Sequence, residues 1–270
     1  MDTLTVNKNS STELQKKIQS HLEELAQATD VARKSKEMLR YLDFVSKFHQ
    51  YSPANIWLIL LAKPDASQVA GFHKWKSMGR FVRTGEQGLP ILAPILIKQE
   101  DEDGLEKQML IGFKVVYVFD VTQTEGEPLP EPPDWKSTEK NLDLNERLIQ
   151  YANRQGITVS FKTLTKEIQG VSKGGAIDID LAAGTKTLVH EIAHERMHKG
   201  KDNLQCREIK ELQAEAVAYV VCRHFGLGGL KSANYLAFFD VTPEQLLTHM
   251  EIIRTTANKI ITAITTSQLT

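Results

Sequence analysis

Cysteine is nearly absent from this sequence. The two that occur, Cys206 and Cys222, form neither a C-x-x-C pair nor any other paired spacing. A bridge between the two is the alternative to the expected reading, two reduced thiols in helices. Long apolar runs are missing as well. The longest, Ile56 to Ala62, is far short of the roughly 20 residues that cross a bilayer. The start, MDTLTVNKNSST, lacks the basic beginning and apolar centre of a secretory signal, so a cytoplasmic location without membrane attachment is expected. Charge of one sign is lacking too. Lys and Arg total 33 against 34 Asp and Glu, for a net charge of −1. Any nucleic-acid surface must therefore be a local patch rather than a global excess. There is no internal repeat and no long low-complexity segment.

What is present is a chain of 270 residues, 41% hydrophobic, enough for one large domain or two modest ones. Leu14, Ile18, Leu22 and Leu25, then Leu39, Leu42 and Phe48, recur at helical steps, so residues 11–50 read as helical. Ser11 or Thr12 stands where an N-cap would precede the pattern. Ser52-Pro53 breaks it, and residues 54–62 read as a short buried helix. Residues 89–97 and 110–121 are rich in β-branched residues and read as strands. The stretch EGEPLPEPPDW holds four prolines; proline fixes its own φ and lacks an amide donor, which makes this an extended linker. Beyond it a helix is expected at 145–156, strands at 157–161 and 175–181, and helices at 185–199, 206–225 and 243–265. The fold class is α+β: an N-terminal helical and β domain over 1–125, a linker over 126–144, and a mostly helical C-terminal domain with a small sheet over 145–270.

The chemistry is concentrated in TLVHEIAHERMH. His190 and His194 are four residues apart on a helix, so their imidazoles leave one face about 40° apart and can share one tetrahedral metal ion. Glu191 lies one helical step from His190, where its carboxylate can meet a metal-bound water. Such a metal acidifies its water and polarises a scissile carbonyl, while Glu191 takes the proton and passes it to the leaving amine. By chance the pattern arises in roughly one or two per hundred such chains, so its surroundings matter. Leu188, Val189, Ile192, Ala193 and Met197 make the helix substantially buried. Unpartnered polar groups there would cost a few kcal/mol each.

A third ligand is required. His198 lies more than two helical turns beyond His190, out of reach from a straight helix, and the longer HExxHxxGxxH pattern is absent. KELQAEAVAYVV supplies Glu211 and Glu215, one turn apart on one face, among alanines that permit close helix approach. One carboxylate would face the metal and the other would orient a ligand imidazole. Zn2+ is the default for two histidines and a carboxylate, while Mn2+ or Fe2+ fits the same donors. Tyr219, His224 and Tyr235 are all candidates to donate to an oxyanion.

HExxH followed by an E-x-x-A-(D/N/E)-A helix resembles the gluzincin zinc proteases, especially the ImmA/IrrE-type regulatory metalloproteases. The resemblance implies that the first carboxylate, Glu211, is the ligand and that Glu215 stands behind it. The group more often has Asp or Asn at that second place. GGAIDID resembles the edge strand along which such proteases bind extended substrates, with Asp178 and Asp180 expected to be solvated.

In the N-terminal half, FHKWKSMGRFVRTGEQG holds Lys74, Lys76, Arg80 and Arg83 interleaved with Phe72, Trp75 and Phe81. Cations that track phosphates beside aromatic faces that stack bases are the ingredients of a single-strand platform. A buried Trp75 and Phe81 under a solvated basic turn would use the same residues. From about Leu42 to Val121 the chain resembles the N-terminal domain of ArdC-type antirestriction proteins. The residues that carry this are SPANIWLILLAKPDASQVAGFHKWKSMGRFVRTGEQGLPILAPI and then FKVVYVFDVTQT. That resemblance implies single-stranded DNA as a partner and a metalloprotease-like domain following, which is the order found here. The expectation is a single-stranded-DNA-binding zinc metalloendopeptidase acting on a protein or peptide substrate. Its alternative is a non-proteolytic DNA-binding antirestriction protein whose second domain is a metal-stabilised scaffold.

Overall fold

The structure, a computed structural model, describes residues 3–27, 31–100, 106–129, 141–165, 168–199, 207–228, 230 and 242–266. In chain order the elements are α1 (Thr3–Gln27), α2 (Val31–Phe48), α3 (Pro53–Ala62), β1 (Val69–Gly71), α4 (Phe72–Ser77), β2 (Arg80–Val82), β3 (Leu89–Glu100), β4 (Glu106–Asp120) and β5 (Thr124–Gly126). Then follow α5 (Leu142–Arg154), β6 (Thr158–Lys162), β7 (Gly170–Ser172), β8 (Ala176–Asp180), α6 (Thr185–His198), α7 (Arg207–His224) and α8 (Pro243–Thr266). The fold is mixed α+β. Among the described residues no helix is long and apolar enough to cross a membrane. Ser11 is buried within α1 rather than capping it, since the helix already runs from Thr3.

The chain divides into two compact units. One comprises Met1–Glu24 and Ala54–Pro130, the other Leu25–Pro53 and Glu131–Thr270. The division is discontinuous where the sequence suggested a single boundary, because α2 clusters with the C-terminal unit. Most of the expected linker, 130–140, lies outside the described residues.

In the first unit α3 is apolar on every side and is buried accordingly, with Ile56, Trp57 and Ile59 fully enclosed. β3 and β4 pair antiparallel, and β1 lies on the other side of β4. β3 is thus an edge strand, and Asn55 covers part of it. The Asn55 side-chain amide donates to the Leu92 carbonyl at 2.9 Å and accepts from the Leu92 amide at 2.8 Å, as a neighbouring strand would. Asp120 ends β4 and is fully buried. Its carboxylate accepts from the Ser67 and Gln68 amides and from the amide and hydroxyl of Thr122. These bonds outweigh burial and hold its pKa below the usual carboxylate range. β2 and β5 form a separate antiparallel pair. Gly126 is required there, because a Cβ would stand 2.3 Å from the Gly79 carbonyl oxygen.

The second unit is built on α5 to α8. Asn141 caps α5 by accepting from the Leu144 amide at 3.0 Å. Leu144, Leu148, Tyr151 and Ala152 carry its buried face. α8 buries Leu246, Met250, Ile253, Ala257, Ile260, Ile261 and Ile264, a helical stripe. α6 and α7 pack on each other, with Ala214, Ala216 and Ala218 wholly buried in α7. α2 joins the unit through Asp43, which accepts from the Tyr219 hydroxyl at 2.9 Å and from Arg223 Nε at 3.1 Å. β8 is the centre of a small sheet, parallel to β6 and antiparallel to β7. GGAIDID is therefore an interior strand, and among the described residues the edges lie at β6 and β7. Asp178 is buried rather than solvated, paired with Lys162 at 2.6 Å and with Lys173. Asp180 accepts from the Leu164 and Ala182 amides.

Candidate metal centre and nucleic-acid surface

α6 and α7 deliver the histidines and the carboxylate to one point. His190 Nε2 and His194 Nε2 are 3.0 Å apart, and Glu211 Oε2 is 3.4 Å from each. A tetrahedral ion with bonds of about 2.0–2.1 Å would set its donors about 3.3 Å apart along every edge, so all three observed edges fit one ion. The same three residues form the metal-competent group found among the described residues. Glu215 stands behind: its Oε2 is 3.5 Å from His190 Nδ1, and its Oε1 meets Lys186 Nζ. This leaves Glu211, not Glu215, at the Nε2 pair, with Glu215 turned to the far nitrogen of a ligand ring. Such a carboxylate fixes the tautomer that points Nε2 inward.

The electrostatics follow the geometry. Burial lowers His190, but Glu215 and the nearby carboxylates outweigh it and raise its pKa overall. Burial and the neighbouring His190 lower His194. Glu215 is held down by His190 and Lys186 in spite of burial. Glu191 is buried and its pKa is raised by that burial. It is absent from the donor group and lies against β7. A Cβ on Gly170 would come within 2.7 Å of its carboxylate, so only glycine lets the strand approach so closely. The centre opens into a cleft of about 950 Å³.

Glu195, which the sequence reading passed over, is almost fully buried. It accepts from Ser172 Oγ and the Gly174 amide at 2.7 Å, from the Lys173 amide at 3.0 Å and, through its other oxygen, from the Gly175 amide at 2.7 Å. It pins the β7–β8 turn to the motif helix. The candidate oxyanion donors are placed elsewhere. Tyr219 is bound to Asp43, its hydroxyl pushed up to about 12 by burial and that carboxylate. His224 Nδ1 donates to the Ser46 carbonyl. Neither lines the cleft, and Tyr235 lies outside the described residues. Cys222 is a free, buried thiol pushed up to about 12 by that burial, and Cys206 is not described.

The basic window of the first unit sorts into two groups. Trp75 does not offer a stacking face: it is buried, and its indole N–H donates to the Phe119 carbonyl at 2.8 Å. Arg80 is spent on Thr124 and on the Gly126 and Glu127 carbonyls. Arg83 binds Glu86 and the Thr122 carbonyl. Lys74 and Lys76 are exposed, and so are the rings of Phe72 and Phe81, 48% and 52% respectively. Tyr117 on β4, which no motif flagged, is 59% exposed.

Residues 8–128 match the family described as the N-terminal domain of anti-restriction factor ArdC. This ArdC-type match spans the α1 region that the sequence resemblance left out and ends before the metal centre. An uncharacterized protein of Bacillus anthracis is 26% identical over 253 aligned positions, covering 75% of this chain. The chain spans 43% of that relative's length. Crystal structures of the antirestriction ArdC protein from the R388 plasmid are also similar, at 18% identity and a TM-score of 0.49. The metal-free form covers 80% of this chain and 86% of its own; the Mn(II)-bound form covers 83% and 97%.

Proposed function

We propose that this chain is a DNA-binding antirestriction-type protein. In this reading its first unit takes single-stranded DNA, and its second holds a divalent metal ion at His190, His194 and Glu211. The observation that carries the metal is the triangle of donor edges at 3.0, 3.4 and 3.4 Å. Two neutral imidazoles and a carboxylate suit Zn2+, and Mn2+ or Fe2+ equally in donor type; the protein bound to Mn(II) is the R388 relative. The DNA partner is supported by the ArdC-type match over residues 8–128, with exposed Lys74 and Lys76 for phosphates and Phe72 and Phe81 for bases. Trp75, Arg80 and Arg83 have structural tasks there.

A second reading, a metalloendopeptidase of the ImmA/IrrE-like kind, is favoured by one observation. Glu191 is buried in the cleft beside the donor triangle without belonging to it. Its carboxylate also takes a hydrogen bond from the Ser172 amide of β7. A bound metal would supply a Lewis acid and a water acidified towards neutrality. Glu191 would hold the proton of that water and pass it on. His190 would be kept in orientation by Glu215.

Metal content per chain, measured by plasma mass spectrometry, tests the site. Near-stoichiometric metal should be lost in His190→Ala and Glu211→Ala and kept in Glu191→Gln. An apo wild type, or loss on Glu215→Ala with retention on Glu211→Ala, refutes the ligand set. Protection of DNA against a restriction nuclease then separates the two readings. Glu191→Gln should retain protection if the second unit is a scaffold and abolish it if hydrolysis is the activity.

A further inference from the structure

Three charged or ionisable side chains meet one layer behind the donor triangle. Lys186 and His190 stand four residues apart on α6, so their side chains leave one face of the helix, one turn apart. Glu215 reaches across from α7 and divides its carboxylate between them. Its Oε1 meets Lys186 Nζ, and its Oε2 lies 3.5 Å from His190 Nδ1. All three are largely enclosed, with the side chains of Lys186, His190 and Glu215 only 25%, 20% and 21% exposed.

An ion pair so enclosed contributes little net stability, because lost hydration offsets most of the attraction. What it fixes is the direction of the carboxylate. At 3.5 Å the contact of Glu215 with His190 is at the outer limit of a hydrogen bond, too weak to hold a flexible side chain unaided. Glu191 and Glu211 line the same cleft, and Glu211 is one turn from Glu215 on α7. Like charges at that spacing repel. Without an opposing cation Glu215 would be pushed away from them into rotamers that leave His190 Nδ1 without an acceptor. Lys186 holds one oxygen, and holding one oxygen aims the other.

We propose that Lys186 is a positioning residue for the metal centre: it anchors Glu215 on His190 Nδ1 and so keeps His190 Nε2 directed at the ion. The inference rests on the metal reading above and adds to it a residue outside the HExxH motif and outside the donor triangle. Two effects of Lys186 on a bound cation have opposite signs. Its charge alone repels a divalent ion, so removing that charge would tighten binding. Its hold on Glu215 orients a ligand, so removing that hold weakens binding. The sign of the change tells the two apart.

The test is competition for Zn2+ between the full chain and a fluorescent chelator. Lys186→Met, which keeps most of the stem and loses the ammonium, should weaken Zn2+ binding about tenfold, and Glu215→Ala by about ten- to a hundredfold. The double variant should lose no more than Glu215→Ala alone, because Lys186 acts through that carboxylate. Lys186→Gln, shorter but still a donor, should fall between the wild type and Lys186→Met. In the Zn2+-loaded chain the His190 Nδ1 proton, followed by nitrogen-edited NMR, should exchange with solvent faster in Lys186→Met than in the wild type. Unchanged or tighter Zn2+ binding in Lys186→Met overturns the proposal, and so do losses that add in the double variant or a Nδ1 proton that exchanges at the wild-type rate. A wild type that takes up no Zn2+ sinks the metal site and this inference with it. A wild type that binds Zn2+ beside a Lys186→Met that binds it equally well sinks this inference alone.

Discussion

Removing the Glu195 carboxylate should open the turn between β7 and β8. Glu195 accepts four hydrogen bonds at 2.7–3.0 Å from residues 172–175, three of them from consecutive backbone amides. Gly174 and Gly175 are held at φ of +80° and +123°, which turns those amides toward one point, an anion-binding concavity. Hydrogen bonds to a charged group contribute about 1.5–3 kcal/mol each, but those sharing one carboxylate are not additive. In Glu195→Ala the freed amides regain water, since only the turn need open. A local cost of about 3 kcal/mol is therefore reasonable, or roughly a hundredfold in the population of the opened turn. The assay is hydrogen exchange at the Lys173, Gly174 and Gly175 amides, read against amides buried in α7. Glu195→Ala should speed the turn amides by about that factor and leave α7 protected, while Glu195→Gln, still an acceptor but neutral, should fall between. Metal content should not change, because no ligand sits on the turn. Unchanged exchange in Glu195→Ala would show that the carboxylate does not hold the turn, and the close approach of β7 to Glu191 would need another cause.

Other outcomes follow from the same structure. His49 and His224 pack edge to face at 5.0 Å, and burial lowers the pKa of both. Below the ordinary value near 6.5 the unfolded chain takes up protons that these folded rings refuse. Stability should therefore fall as pH drops from 7 toward 5, with each ring contributing up to about 1.4 kcal/mol per pH unit. A His224→Asn variant that keeps the full wild-type slope in pH-dependent denaturation would contradict this. Lys74→Ala/Lys76→Ala should weaken single-stranded DNA binding and flatten its dependence on log salt by roughly two counterions at most, with melting unchanged. Trp75→Ala should instead destabilise the first unit by about 3–5 kcal/mol; DNA binding lost in a fully folded Trp75→Ala would restore the ring to the interface.

The meeting of His190, His194 and Glu211 was legible because its constraints are local. Two histidines four apart must share a helix face whatever surrounds them, and so must Glu211 and Glu215; only the packing of one helix on the other had to be supplied. The same locality explains what could not be read. β7 is three residues long, begins with glycine and shows no alternation, so nothing marks it as a strand, and β8 was left to look like an edge. Glu195 falls between two histidines in HERMH, where a glutamate is indistinguishable from a solvated charge until the turn folds over it. Trp75 sits in a basic window that suits a stacking platform, and its indole finds the Phe119 carbonyl 44 positions away. The place of α2 depends on Asp43 meeting Tyr219 and Arg223, 176 and 180 positions on.

These long-range pairs bear on function as well as on architecture. Tyr219, a credible oxyanion donor by type and proximity in sequence, is instead bound to α2. α7 therefore presents Glu211 and Glu215 toward the histidines of α6 and, from Tyr219 onward, is anchored against α2. A helix fixed at its far end by a charged hydrogen-bond pair and packed along α6 has little freedom to slide. The distances between Glu211 and the two imidazoles thus depend on contacts made about two to three helical turns away. Substitution of Asp43 should then loosen metal affinity without touching a ligand.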